Sequence, residues 1–300
     1  MLQTILASIL SLKRMLVSFC INFFNTIEVC TYVVVEEILI AKERSDNLKA
    51  VILCGGKGLR MKEVTDGIPK PLAMIGNKPM LWHIMKTYYH YGFKEFVLLL
   101  GYKGDQIKEY FMDYKWKNSD FILSEDGSYK IIEPSERWNI TFLDTGLETM
   151  TGGRLLRAKP FLKDESFMLT YGDGLANINL NTLIDFHNEN GKIATVTGIK
   201  KINQYGVLSI QNNIATGFTE KPVCNDIING GFFVFNSKIF DYLQGGDKCV
   251  LEKEPLKQLA AVGQLAVYNH DGFWTAMDTY KDIMDVNSLW DEEKALWKVW

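Results

Sequence analysis

Between Leu53 and Arg60 the chain reads Leu53, Cys54, Gly55, Gly56, Lys57, Gly58, Leu59, Arg60, directly after a short apolar run. Three glycines in that space let backbone N–H groups come close to an anion, because no Cβ stands in the way. Arg60 adds a fork of donors, and Lys70 follows ten residues later, framed by Pro69 and Pro71, whose rings stiffen the backbone on either side. A triphosphate packs several negative charges into a small volume, and backbone donors plus an Arg and a Lys supply the compensation it needs. Two commoner phosphate motifs fail here. A dinucleotide fingerprint starting at Gly56 needs glycine at position 61, where Met61 stands, and no Gly-Lys pair is followed by Ser or Thr as a P-loop requires. The same residues would also serve as a tight strand-to-helix turn with Arg60 and Lys70 in solvent, and spacing alone leaves both readings open. Asp173, in TYGDG, and Asp278, in MDT, are hard oxygen donors suited to a divalent cation. Each has an ordinary alternative, as a turn aspartate between glycines and as a helix N-cap.

The elements that must hold these groups follow from the apolar pattern. Residues 50–54 (AVILC) and 96–101 (FVLLLG) are unbroken apolar runs, as strands buried on both faces require. Between them Leu81, Ile84, Met85 and Tyr88 fall on one helical stripe that Gly92 closes. Helical patterns over 105–115, 154–162 and 180–191 then alternate with strand patterns over 138–146, 167–174 and 192–200. Beyond these, 206–222 reads as paired strands, 229–243 as a strand running into a helix, and 264–279 as a last strand and loop before a closing helix. This rhythm predicts an α/β fold with a Rossmann-like, mixed but mostly parallel sheet flanked by helices. It puts Asp173 at the carboxyl end of a buried strand, where open α/β sheets bind ligands.

Composition narrows the function. The 300 residues are 47% hydrophobic with a net charge of −3, which excludes a disordered or fibrous chain and makes nucleic acid an unsuitable partner. Five scattered cysteines, odd in number and without a CxxC pair, fit neither a disulfide framework nor a zinc site and read as reduced thiols. Composition shifts sharply at Leu48. Residues 1–47 are apolar and amphipathic, but Lys13, Arg14 and Glu28 cut the apolar run to thirteen residues, short of the ~20 of a membrane span. They are expected to be an extension outside the catalytic domain of residues 48–300, and any membrane contact would come through them alone. His83 lies on the well-patterned helix and is expected to be packed rather than catalytic.

GGKGLR, PKP, IGNKPMLWHIMKTY, DTGLETMTGGR, TYGDG, EKP, NGGFF and MDT occur in this order from residue 48 to the end. The series resembles the sugar-nucleotide pyrophosphorylases, a nucleotidyltransferase family, and the WHIM and MTGGR segments are most similar to its cytidylyl-transferring branch. The resemblance implies a nucleotidyltransferase type A-like fold. It implies a reaction in which a sugar 1-phosphate oxygen attacks the α-phosphorus of a nucleoside triphosphate and expels pyrophosphate. For this branch the substrates are CTP and glucose 1-phosphate, the product is CDP-glucose, and its use is in deoxysugar and O-antigen polysaccharide synthesis. The implied catalytic residues are Arg60, Lys70 and Asp173, with Mg²⁺ held by Asp173 and Asp278. Nucleotide contacts are implied for Leu53, Cys54, Gly55, Gly56, Lys57, Gly58, Leu59, Arg60, Lys70, Thr149, Gly152, Arg154 and Gly172. Sugar-phosphate contacts are implied for Glu220, Lys221, Asn229 and Gly230. Leu59 departs from the family, which carries a threonine there, and offers no hydroxyl to phosphate. That leaves open a catalytically weak nucleotide-binding relative, and because the sequence does not show which group reads the base, a uridylyl- or thymidylyltransferase is open as well. A cytoplasmic setting, where soluble nucleotides and Mg²⁺ are found, a homo-oligomer, and an aromatic tail of Trp290, Trp297 and Trp300 that packs on the same chain or on a neighbouring subunit complete the expectations.

Overall fold

Every residue of Ala50–Cys54 (β1) is buried, with Ala50, Ile52 and Cys54 in the core on one face and Val51 and Leu53 in the core on the other. An element buried on both faces must be central, and the computed structural model places it so. It describes residues 48–58, 67–132, 136–162, 165–202, 207–211, 213–219 and 223–300. The expectations for residues 1–47, Leu59, Arg60, Glu220 and Lys221 lie outside the described residues. β1 pairs in parallel with Glu95–Leu100 (β2), which pairs in parallel with Asn139–Asp144 (β3). On its other side β1 pairs in parallel with Phe167–Tyr171 (β4). With Ala194–Ile202 (β5), Val223–Phe235 (β6) and Leu265–His270 (β7), the sheet runs in the order β7-β5-β6-β4-β1-β2-β3. Only β6 is antiparallel to its neighbours, so the sheet is mixed and mostly parallel, as its sequence rhythm predicts.

Helices cover both faces. Met80–His90 (α1) buries Met80, Leu81, Ile84, Met85 and Tyr88 against one side, and Gly104–Met112 (α2) adds Ile107. Thr151–Leu162 (α3) buries Leu155, Ala158 and Leu162 against the other, beside Phe233 and Phe235 of β6 and Leu259 of Glu254–Ala261 (α5). Leu180–Asn190 (α4) starts at Asn179, whose side chain accepts from the Thr182 N–H, and ends at Gly191 in the left-handed conformation. Tyr280–Asp291 (α6) opens on a capping box made by Thr279 and Asp282.

α3 begins three residues earlier than the apolar stripe suggests, and its first turn contains Gly152 and Gly153. A Cβ on Gly152 would lie 2.5 Å from Cys249 Sγ, and one on Gly153 would lie 2.8 Å from the Gly246 carbonyl. These glycines admit the chain's own 246–249 segment. Gly152, expected to contact nucleotide, is pressed here against protein.

His83 is fully buried, and its Nε2 lies 3.1 Å from the Ile75 carbonyl. The rings of Trp82, Trp290, Trp297 and Trp300 surround it, and Trp297 Nε1 donates to its Nδ1 at 3.4 Å. Burial holds its pKa down at about 4, so the ring is neutral near pH 7 and is a packed histidine. The tryptophan tail thus packs on its own chain. No helix among the described residues is long and apolar enough to cross a membrane.

Candidate active site

The carboxyl ends of β1 and β4 lie side by side, and the loops leaving the two strands build the site. The Gly172 N–H donates to the Leu53 carbonyl at 3.0 Å, which carries the β1–β4 ladder one residue beyond the strands. Gly172 is required there: a Cβ would meet the Leu53 carbonyl at 2.9 Å and Pro71 Cγ at 3.2 Å. Pro71 belongs to the Lys70–Leu72 turn, so the segment that carries Lys70 is pressed against the strand end that carries Asp173.

Asp278 arrives by a separate route. Gly174–Ala176 pairs antiparallel with Trp274–Ala276, and the Met277 N–H donates to the Asp173 carbonyl at 2.9 Å. This small pair sets Asp278 opposite Asp173. Asp282 Oδ2 then accepts from the backbone N–H of Asp278 at 3.0 Å and of Thr279 at 2.7 Å, which fixes the turn. Asp282 was not singled out from sequence, although its capping-box spacing after Thr279 was there to be seen.

Lys70 Nζ lies between the two carboxylates, 2.7 Å from Asp173 Oδ2 and 2.9 Å from Asp278 Oδ1. The lysine side chain is 12% exposed, the aspartates 32% and 50%. Burial acts to lower the Lys70 pKa, but the Asp173 charge and the hydrogen bonds that the ammonium donates to both carboxylates outweigh it and hold it above its ordinary range. Three groups more than a hundred residues apart in the chain therefore meet at one partly open mouth. Two hard carboxylate oxygens aimed at one cationic point suit Mg²⁺, which takes one or two carboxylates and completes its shell with water and substrate phosphate. Among the described residues no group of three or more His, Cys, Asp or Glu could hold a metal.

The glycine loop leaves β1 beside this mouth. A Cβ on Gly56 would meet nothing within 4 Å, so this exposed backbone is open to a ligand, and Gly58 is left-handed at φ +57. Lys57 Nζ pairs with Glu148 Oε1 at 2.5 Å, joining the glycine loop to the loop after β3. Thr149 lies buried in that second loop. Leu53 and Cys54 offer a ligand no side chain, since both are buried in the strand. Burial and the Asp173 charge push the Cys54 thiol up, against the pull of Arg154, so it is not a nucleophile.

Arg154 departs from the expected ligand contact. Its side chain, 5% exposed, runs beneath the glycine loop. Nη1 donates to the carbonyls of Leu100 at 2.9 Å and Gly146 at 2.8 Å and to Thr145 Oγ1 at 2.6 Å, and Nη2 donates to the Gly55 carbonyl at 3.0 Å. Among the described residues no carboxylate lies within ion-pair distance of it. The guanidinium ties together the carboxyl ends of β1, β2 and β3 and faces the protein.

At the far side of Asp173, Asn229 Nδ2 donates to Tyr171 Oη at 3.2 Å, and Trp274 Nε1 donates to the Gly230 carbonyl at 2.7 Å. Gly231, at φ +86, lies against the Tyr171 ring, where a Cβ would come within 2.5 Å of Cδ2. Asn229 and Gly230 are thus brought to the strand end that carries Asp173.

The Nucleotidyl transferase family model matches residues 49–298. A protein of Bacillus subtilis named "Probable glucose-1-phosphate cytidylyltransferase" is 58% identical over 254 residues, covering 84% of this chain and 100% of its own length. A glucose-1-phosphate cytidylyltransferase of Salmonella typhi is 45% identical over 260 residues, again 84% of this chain and all of the relative. Among solved structures, HddC from Yersinia pseudotuberculosis shares the fold with a TM-score of 0.59 at 22% identity, over 81% of this chain and 99% of its own. With these matches along nearly all of residues 49–298, and with a lysine and two aspartates meeting at one sheet edge, the chain belongs to the nucleotidyl transferase family.

Proposed function

We propose that this protein transfers the cytidylyl group of CTP to glucose 1-phosphate, giving CDP-glucose and pyrophosphate in a Mg²⁺-dependent reaction. The observation that carries the reading is the meeting of Lys70, Asp173 and Asp278 beside an open glycine loop. Two phosphate groups repel each other, so bringing a phosphate monoester in line with an α-phosphorus needs cations and donors placed before the reactants arrive. The backbone at Gly55, Gly56 and Gly58 would provide donors for the triphosphate, Lys70 would supply positive charge at the α-phosphate, and Arg60 is assigned to the triphosphate by its sequence motif alone. Asp173 and Asp278 would hold Mg²⁺, which neutralises charge on the phosphate oxygens when bound. Lys70 is held between two acceptors it can exchange for phosphate oxygens. Asn229 and Gly230 are assigned to the sugar phosphate by their place at the strand end that carries Asp173, and Glu220 and Lys221 by their sequence motif alone. No protein nucleophile is needed, which agrees with the buried thiol of Cys54.

Pyrophosphate release measured over four triphosphates and several hexose 1-phosphates tests this. Turnover is expected only with CTP, glucose 1-phosphate and Mg²⁺ together, and equal rates with UTP or dTTP would overturn the base assignment. Leu59 favours a second reading, a weak nucleotide-binding relative. That reading expects CTP binding by calorimetry without turnover, and recovery of rate in Leu59→Thr. Soluble substrates point to the cytoplasm. Association of like copies is supported by the apolar side chains that the Val207–Gln211 and Ile214–Thr219 hairpin leaves exposed, Leu208, Ile210, Ile214 and Phe218 among them.

A further inference from the structure

We propose that Glu252 is the acceptor that reads the hexose hydroxyls, its carboxylate held in place by Thr151 and Tyr171. The proposal rests on the sugar 1-phosphate reading above and extends it to a residue that no motif marks.

Glu252 lies on the exposed turn before α5, far in sequence from every element it touches. Tyr171 Oη donates to its Oε1 at 2.7 Å and Thr151 Oγ1 donates to its Oε2 at 2.6 Å. Each hydroxyl has a single proton, and both are committed to the carboxylate. Each hydroxyl oxygen is in turn an acceptor, Tyr171 Oη from Asn229 Nδ2 at 3.2 Å and Thr151 Oγ1 from the Leu251 N–H at 3.0 Å. The direction of every hydrogen bond in the chain is thereby set, and it ends on Glu252.

An ionised carboxylate has about four lone-pair sites, and the two hydroxyls use two. Among the described residues no cation pairs with Glu252. What remains is an immobilised, solvent-facing group with acceptor capacity to spare. Such a group cannot bind phosphate, which it repels, but it suits a neutral ligand rich in O–H donors. Position agrees with chemistry. Tyr171 stands two residues before Asp173 on the same strand end, and Asn229 belongs to the segment assigned to the sugar phosphate. A hexose whose phosphate lies near Lys70 and Asp173 would present its ring hydroxyls to this side of the mouth.

The test compares wild type, Glu252→Gln and Tyr171→Phe for kcat and KM with glucose 1-phosphate and its 2-, 3-, 4- and 6-deoxy analogues. Loss of a hydrogen bond to a charged acceptor predicts that at least one deoxy analogue costs the wild type about tenfold or more in kcat/KM. In Glu252→Gln, KM for glucose 1-phosphate should rise about tenfold, KM for CTP should move less than about twofold, and that deoxy penalty should largely vanish. Tyr171→Phe should move the same quantities in the same direction by a smaller factor. An unchanged deoxy profile in Glu252→Gln overturns the proposal, as does a shifted CTP-over-UTP preference with the deoxy profile intact, which would place the carboxylate at the base. Saturation-transfer NMR of glucose 1-phosphate with a non-hydrolysable CTP analogue reads the same hydroxyl contact without turnover. Failure to make CDP-glucose would therefore count against the proposed reaction while Glu252 is still judged by the NMR contact. Should Glu252→Gln not fold, Tyr171→Phe decides by the same two readouts.

Discussion

Two cations stand at the same sheet edge and are treated in opposite ways. Lys70 is partly open and bonded to two carboxylates, and its charge is balanced in the free protein by groups it can exchange. Arg154 is almost wholly buried and bonded to neutral carbonyls and one hydroxyl. Burial lowers its pKa, opposed by the charge of Asp144, yet a guanidinium in a protein keeps its proton. The first arrangement suits a charge that must act on a substrate. The second suits a brace, since its Nη1 and Nη2 donors reach the carboxyl ends of three strands and hold the base of the glycine loop.

This contrast is open to direct attack. Lys70→Met should lower kcat by about a thousandfold, roughly 4 kcal/mol in activation free energy, while moving the thermal midpoint little. Arg154→Met should do the reverse, costing about 3 kcal/mol of stability measured by urea unfolding, because several buried carbonyls lose their donor. If the two variants show the same split between rate and stability, the distinction between acting and bracing cations fails.

His83 supplies a smaller effect away from both. Its folded pKa of about 4 lies below the usual 6.5, so the unfolded chain binds the proton more tightly. The stability it contributes is present above pH 6.5 and is lost as pH falls toward 4. At pH 5 the cost should be ~2 kcal/mol relative to pH 7, and His83→Gln should flatten that difference. The smallest effect lies at high pH. Lys70 is raised above its usual 10.5, so its contribution persists below that value and is lost as pH climbs through the folded pKa. Wild type should then lose more stability than Lys70→Met above about pH 10.5, as followed by circular dichroism.

Much of the fold could be read from local pattern. The unbroken apolar runs of β1 and β2, the stripe of α1 and the glycine that ends α4 all appear where their sequences put them. The early start of α3 could not be read, because Gly152 and Gly153 look like loop residues until the 246–249 segment that fills their missing side chains is known. The candidate site divides along the same line. Lys70, Asp173 and Asp278 stood out by type and context. Arg154 stood out too, but only its buried surroundings show which way its charge faces. Glu252 carried no local mark at all, and Tyr171 stood inside TYGDG without a role of its own.

What the chain's own pattern determined is a set of strands and helices and a stock of phosphate-seeking groups, because periodicity and residue chemistry act over a few positions. Tertiary structure decided which of those groups share a mouth. The Gly174–Ala176 pairing with Trp274–Ala276, which sets Asp278 opposite Asp173, joins segments about a hundred residues apart. Such a contact forms only when the sheet has assembled, and no short stretch of sequence carries the information to foresee it.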